Sequence, residues 1–317
     1  MANHFDYLIS RIVHADVAEL PFPHLHLKEF LHEDDFDELT QSADVRLPPA
    51  ADLEELFGHL DRAGYRAVDF PGCTSSREEY TRWIAEQATP KKTHKACESQ
   101  GMALRNVRMT SPLTVELDEF FRSQEFLDAA RAKFDITAPT EVDAGLQKYL
   151  HGYEISPHPD VRHKALTWML NVNPDPRAAD QEFHTHYMTF KPEWSFIGTL
   201  WEHNPKLETC WVPWDWCSTA ARQRDNNSLV MFSPRWDTLH AVKAHYDHLP
   251  SQRTQFYGNL WYAREPNLLA TKFHDFDLVG RASDGLAARG LVPKAKAAAV
   301  KVQRLLRRDT GLAPRRL

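Results

Sequence analysis

Cysteine is scarce in this chain. Cys73, Cys97, Cys210 and Cys217 are the only four in 317 residues, and no two form a Cys-x-x-Cys pair. At this length they read as reduced thiols rather than a disulfide frame, which points to a cytoplasmic protein. Long apolar runs are missing as well. Nothing approaches the length that spans a bilayer, and the opening MANHFDYLIS has no basic segment leading into an apolar stretch, so no secretory leader is expected. No Gly-rich phosphate loop follows a strand pattern, and no Gly-x-Ser-x-Gly elbow occurs, which disfavours phosphate-loop and serine-hydrolase chemistry. No period of about 33 residues repeats, so a solenoid is not expected.

What is present is ordinary for a folded domain. Hydrophobic residues make up 42% and charged residues 26%, and the chain is long enough to bury a full core. Charge is unevenly spread. From Arg281 onward ten basic residues face only Asp284 and Asp309, a net of +8, so the overall −6 leaves −14 on the first 280 residues. The acidic body disfavours nucleic acid as a partner. Residues 292–308 put Ala295, Ala299, Val302, Leu305 and Leu306 on one side of a basic helix. That helix either meets an anionic partner or packs on its own domain.

The hydrophobic period divides the chain. Up to about residue 135 the pattern is mainly helical. A short strand over 21–27 precedes an acidic helix over 31–39, and further helices are expected over 52–64, 76–88 and 116–134. From Gly145 the period shortens. Strands are expected over 146–150, 165–172, 196–201, 208–213, 228–232, 239–243 and 254–262, bounded by Pro, Asn and Asp. That spacing suits a sandwich or barrel.

The candidate chemistry centres on His158-Pro159-Asp160. His-x-Asp at a strand end lets an imidazole and a carboxylate turn toward one point, and His240 could complete a face of two His and one carboxylate, the arrangement that holds non-haem Fe(II). Alone, His240 reads as a core histidine. Arg253 opens a strong strand, where a guanidinium facing the interior needs an anion such as a carboxylate. His184-Thr185-His186 is a competing metal motif with Glu182 or His203, or these histidines line a substrate mouth. Arg162 and His163 either reach an anionic substrate or are solvated, and Arg105 and Arg108 are equally open. Trp194, Trp201, Trp211, Trp214 and Trp216 either stack on a ring-bearing ligand or pack the core.

Taken together, Gln147-x-Tyr149, Gly152, His158-x-Asp160, Asn227-x-Leu229-Val230-Met231-Phe232, His240-x-Val242 and Arg253 resemble the Fe(II)- and 2-oxoglutarate-dependent oxygenases, in their prolyl-hydroxylase-like branch. The matching stretch runs over about 145–262. The resemblance implies an α+β fold: a double-stranded β-helix (jelly-roll, cupin-like) core over 141–265, an N-terminal helical elaboration over 1–140, and a basic C-terminal helix and tail over 266–317, together one oxygenase domain. It implies that His158, Asp160 and His240 ligate Fe(II), that Arg253 holds 2-oxoglutarate, and that Tyr149 and Gln147 lie beside that cosubstrate. Gln255 stands where the family often has a small hydroxylated residue. Asp160 implies hydroxylation rather than halogenation. The expected reaction uses O2 to hydroxylate a polar small molecule, with Arg162, His184, His186 and Trp194 as candidate substrate contacts. Desaturation, cyclisation or epimerisation at the same metal, and a non-catalytic jelly-roll that binds a sugar or anionic polymer, are the alternatives.

Overall fold

The computed structural model describes residues 3–70, 72–86, 97–204 and 207–264. These fall in the first of two compact units, Met1–Asn267. The basic helix expected over 292–308, with the rest of the 266–317 tail, lies outside the described residues.

The N-terminal half builds helices against one sheet. α1 (Tyr7–His14) is followed by β1 (Leu25–Leu27), α2 (Glu33–Gln41), α3 (Leu53–Arg62), β2 (Tyr65–Ala67), α4 (Arg77–Glu86), β3 (Ala103–Asn106), α5 (Pro112–Arg122) and α6 (Gln124–Lys133). The start of α3 is set by Asp52, whose side chain accepts from the Glu55 amide at 2.9 Å. Gly64, in the left-handed region at φ +86, ends it. The single helix expected over 116–134 is two. Ser123 is extended, and its hydroxyl caps α6 by accepting from the Phe126 amide, so the apolar stripe turns a corner. That corner brings Phe120, Phe121 and Phe126 together over Trp168 and Phe256 of the sheet, in one buried cluster.

The second half is strand-rich: β4 (Thr140–Tyr149), β5 (Glu154–His158), β6 (Lys164–Asn171), β7 (Thr185–Phe190), the short helix α7 (Phe196–Glu202), β8 (Cys217–Gln223), β9 (Leu229–Phe232), β10 (His240–Lys243) and β11 (Arg253–Tyr262). The larger sheet has the order β1-β9-β6-β11-β4-β3-β2 and the smaller β5-β10-β7-β8, with every pair antiparallel. From β4 onward the chain crosses between sheets at every connection except β7 to β8, which are joined through α7 within the smaller sheet. Two expected strands are absent. Residues 196–201 form α7, because Phe196, Ile197, Leu200 and Trp201 recur at helical spacing. Residues 208–213 form no strand. Strands β2, β3, β5, β7 and β8 lie where none was expected.

Alternation along β4 sends Gln147 and Tyr149 between the sheets and Lys148 toward the helices. Lys148 is fully buried. Its ammonium donates to the Val45 carbonyl at 2.6 Å and to Thr254 Oγ1 at 2.9 Å, above the Tyr65 ring. Burial pushes its pKa down to about 7. The unfolded chain therefore binds more protons than the folded one between pH 7 and the ordinary lysine value, so this residue's penalty is full below pH 7 and fades as pH rises. In denaturant titrations the wild type is expected to gain stability relative to Lys148→Met between pH 7 and 9, by an amount on the order of 2–3 kcal/mol. A pH-independent difference would contradict the depressed pKa.

Candidate metal centre

Backbone register does the first part of the assembly. β5 and β10 pair so that His158 lies opposite His240, with an irregularity in the ladder just beyond. Residues facing one another across an antiparallel pair share a face, and here the imidazole centres are 4.3 Å apart. Asp160 follows the end of β5 with φ +72, a left-handed conformation that Asp tolerates better than most residues. Its carboxylate turns back between the two rings: Oδ1 is 3.5 Å from His158 Nε2 and Oδ2 is 3.8 Å from His240 Nε2. Among the described residues, His158, Asp160 and His240 are the one group of three or more His, Cys, Asp or Glu able to hold a metal ion, with ligand atoms within 4.8 Å of one another.

Each imidazole has its other nitrogen fixed. His158 Nδ1 donates to the Ser156 carbonyl at 2.8 Å, and His240 Nδ1 donates to the Thr238 carbonyl at 2.9 Å. With Nδ1 carrying the proton, both Nε2 lone pairs face the carboxylate, as a metal requires. The Thr238 hydroxyl also reaches the Pro159 carbonyl at 2.9 Å, tying together the two segments that bear the ligands. Burial and the neighbouring His158 push the His240 pKa down to about 3, so its ring is neutral without help from a metal. For Asp160, burial alone would raise the pKa. The adjoining Lys164 ammonium outweighs it and holds the group well below the usual carboxylate range. Two nitrogens and one carboxylate on one face, with tautomers preset, fit a divalent first-row metal.

Asp160 is also held from behind. Lys164 Nζ donates to Oδ1 at 2.7 Å, and Thr167 Oγ1 donates to Oδ2 at 2.8 Å. These contacts face a cleft of about 360 Å³ that exposes His158 and Asp160 to Phe70, Trp211, Tyr257 and Trp261. Arg105 lines it too, gripping Asp143 at 2.6 and 3.2 Å through two nitrogens. Sequence reading left Arg105 open and missed Lys164, Tyr257, Asn259 and Trp261. The last three were traceable, because they alternate on β11 with Arg253.

Arg253 lies between the sheets, only 2% exposed. Its guanidinium donates to Thr185 Oγ1 at 3.0 Å and sits 4.7 Å from the centre of the Tyr149 ring. No carboxylate among the described residues pairs with it, and burial lowers its pKa. Such a site fits a carboxylate ligand. The Tyr149 hydroxyl is 2.6 Å from the Gln147 amide. With its oxygen turned toward Arg105, that amide accepts at 2.8 and 3.1 Å. Gln147 and Tyr149 thus connect Arg253 to the cleft. Gln255 is tied to Asn171, donating to its side-chain oxygen at 2.6 Å.

The four candidate substrate contacts lie elsewhere. His184 and His186 alternate with Thr185 and Tyr187, so they stand on the opposite face of β7. His184 Nε2 donates to the Ala179 carbonyl, and His186 meets Thr219 Oγ1 and the edge of Trp214. Burial lowers both pKa values to about 4. The competing His-x-His metal site is therefore not assembled among the described residues. Trp194 stacks on Trp216 at 4.1 Å and 4°. Of the five tryptophans left between ligand stacking and packing, Trp211 lines the cleft and Trp194, Trp201, Trp214 and Trp216 do not. Arg162 lies over the Trp201 ring and donates to the carbonyls of Trp201, Asn204 and Leu207. It clamps the end of α7 instead of reaching a ligand. In Arg162→Ala, amide exchange over 199–204 is expected to quicken as local opening becomes easier by about 1–2 kcal/mol, while ligand affinity in the cleft is unchanged. A lost ligand affinity with unchanged exchange would reverse that assignment.

No family model matches the chain, and no curated protein matches it. Solved structures do. One is a prolyl-4-hydroxylase from Pseudomonas putida, at 9% identity and TM-score 0.40, covering 81% of this chain and 98% of that one. A second neighbour is the epimerase SnoN in complex with Fe3+, alpha ketoglutarate and nogalamycin RO, at 12% identity and TM-score 0.35, covering 82% and 84%. A third is AviO1 from Streptomyces viridochromogenes Tue57, at 11% identity and TM-score 0.33, covering 84% and 98%. These likenesses are distant, and the functional reading rests on the side chains. No described helix is long and apolar enough to cross a membrane.

Proposed function

We propose that this protein is an Fe(II)- and 2-oxoglutarate-dependent dioxygenase on a jelly-roll core, most simply a hydroxylase. The observation that carries the reading is the pairing of two features between the same sheets. One is a buried His-Asp-His face with both Nδ1 protons already committed to backbone carbonyls. The other is a buried arginine with no carboxylate of its own among the described residues. The crossing of β4–β11 between two antiparallel sheets supports the double-stranded β-helix.

In this reading His158 Nε2, His240 Nε2 and one Asp160 oxygen hold the iron, and Arg253, with Thr185 beside it, holds the distal carboxylate of 2-oxoglutarate. Iron with a chelated 2-oxo acid and O2 supplies oxidation of an unactivated C–H bond, with succinate and CO2 released. The chain's own residues bind and orient. Tyr149 packs its ring on the guanidinium and directs its hydroxyl to Gln147, so it shapes the cosubstrate pocket while its polar atom is engaged. Phe70, Trp211 and Trp261 offer apolar walls to the body of a small substrate, free or carried on a larger scaffold, and Asn259 offers a polar contact. A cytoplasmic, reducing setting would suit both ferrous iron and the four free thiols.

The test is anaerobic. Fe(II) and 2-oxoglutarate added to metal-free protein should give the weak visible charge-transfer band of a chelated 2-oxo acid. His158→Ala and His240→Ala should abolish it. Arg253→Ala should weaken 2-oxoglutarate binding by on the order of a hundredfold. Folded wild type that takes up Fe(II) and 2-oxoglutarate without the band would end this reading. Retention of full 2-oxoglutarate affinity in Arg253→Ala would remove the arginine's role and favour a non-catalytic binding module.

A further inference from the structure

We infer that Lys164 is a charge-setting residue of the metal centre, one that favours the ferrous over the ferric state. The inference rests on the reading of His158, Asp160 and His240 as an iron site. Lys164 opens β6, four residues after Asp160, and its side chain is nearly buried, 9% exposed. Its ammonium is fixed on every side. It donates to Asp160 Oδ1 at 2.7 Å and to the Tyr257 hydroxyl at 3.1 Å, and it lies 5.7 and 5.5 Å from the ring centres of Tyr257 and Trp261.

A carboxylate needs no cation merely to be oriented here. Thr167 already donates to Oδ2, and the backbone of Asp160 is pinned between β5 and β6. What the ammonium adds is a fixed positive charge one hydrogen bond, 2.7 Å, beyond the ligating group, in a site walled by aromatic rings and so weakly screened. It has two consequences of the same sign. The Asp160 carboxylate shares its charge with Lys164 and becomes a weaker donor, and the ammonium repels the metal directly. Both effects grow with the charge on the metal, so a trivalent ion is disfavoured more than a divalent one.

Removing the charge should therefore strengthen metal binding rather than weaken it. That separates a charge role from a structural one, in which removal loosens the site. The experiment uses the full chain, with fold checked by circular dichroism. Co(II) is titrated into metal-free wild type, Lys164→Met, Lys164→Gln and Lys164→Arg. The Fe(III)/Fe(II) midpoint potential is then read in mediated titrations without 2-oxoglutarate. Lys164→Met is expected to bind Co(II) roughly tenfold more tightly and to show a lowered potential with faster loss of Fe(II) in air. Lys164→Gln, which keeps a donor without the charge, should follow Lys164→Met, and Lys164→Arg should stay near wild type. Should Lys164→Met misfold, Lys164→Gln carries the comparison. Unchanged potentials, weaker Co(II) binding in the neutral variants, or a wild-type-like Lys164→Gln would each overturn the charge role. Wild type that binds neither Co(II) nor Fe(II) would instead sink the metal reading itself, and this inference with it.

Discussion

The pairing of β5 with β10 is the constraint on which the rest depends. A slip of one residue would turn one imidazole out of the space between the sheets, because neighbouring side chains on a strand face opposite ways. The register that sets His158 against His240 also leaves the chain after His158 only two residues to bring a carboxylate back to the same point. Asp160 manages it by adopting a left-handed backbone, and Lys164 and Thr167 hold it there. Helices on the outer face of the larger sheet, with the cluster built on Trp168, keep β6 and β11 in place behind this arrangement. The site is thus organised by backbone pairing first and by side-chain bonds second.

The positive charges between the sheets follow one rule with one exception. Arg105 is matched by Asp143, and Lys164 by Asp160. Among the described residues Arg253 alone has a hydroxyl and aromatic rings where a carboxylate would be expected. Of the tryptophans that suggested a ring-binding platform, Trp194 and Trp216 stack on one another, Trp201 lies under Arg162 and Trp214 donates to Glu154.

Much of this was legible in the sequence because it lies in spacing. His158-x-Asp160, His240 and Arg253 stand at strand ends, and strand ends carry a strong local signal of alternation and turn residues. The helices over 52–64 and 76–88 were readable from their apolar stripes for the same reason. Failures came where local pattern and partner choice diverge. Phe196–Trp201 was rich in residues that suit strands, yet its apolar residues recur at helical spacing. The corner at Ser123 was hidden because the apolar stripe continues on both sides of it. Lys164 and Arg162 are both basic residues near His-x-Asp, and nothing local distinguishes the one bonded to the carboxylate from the one spent on carbonyls of α7. Only the packed barrel decides that.

The isolation of Arg253 bears on folding as well as on chemistry. A guanidinium taken out of water without a counter-charge costs the native state free energy, and the barrel bears that cost in order to keep the position ready. An anion that settles there returns part of the loss, and it does so only for the folded chain. A small acid bound there would act as a missing piece of the interior, and the abundance of folded protein in a cell would then track the supply of that acid.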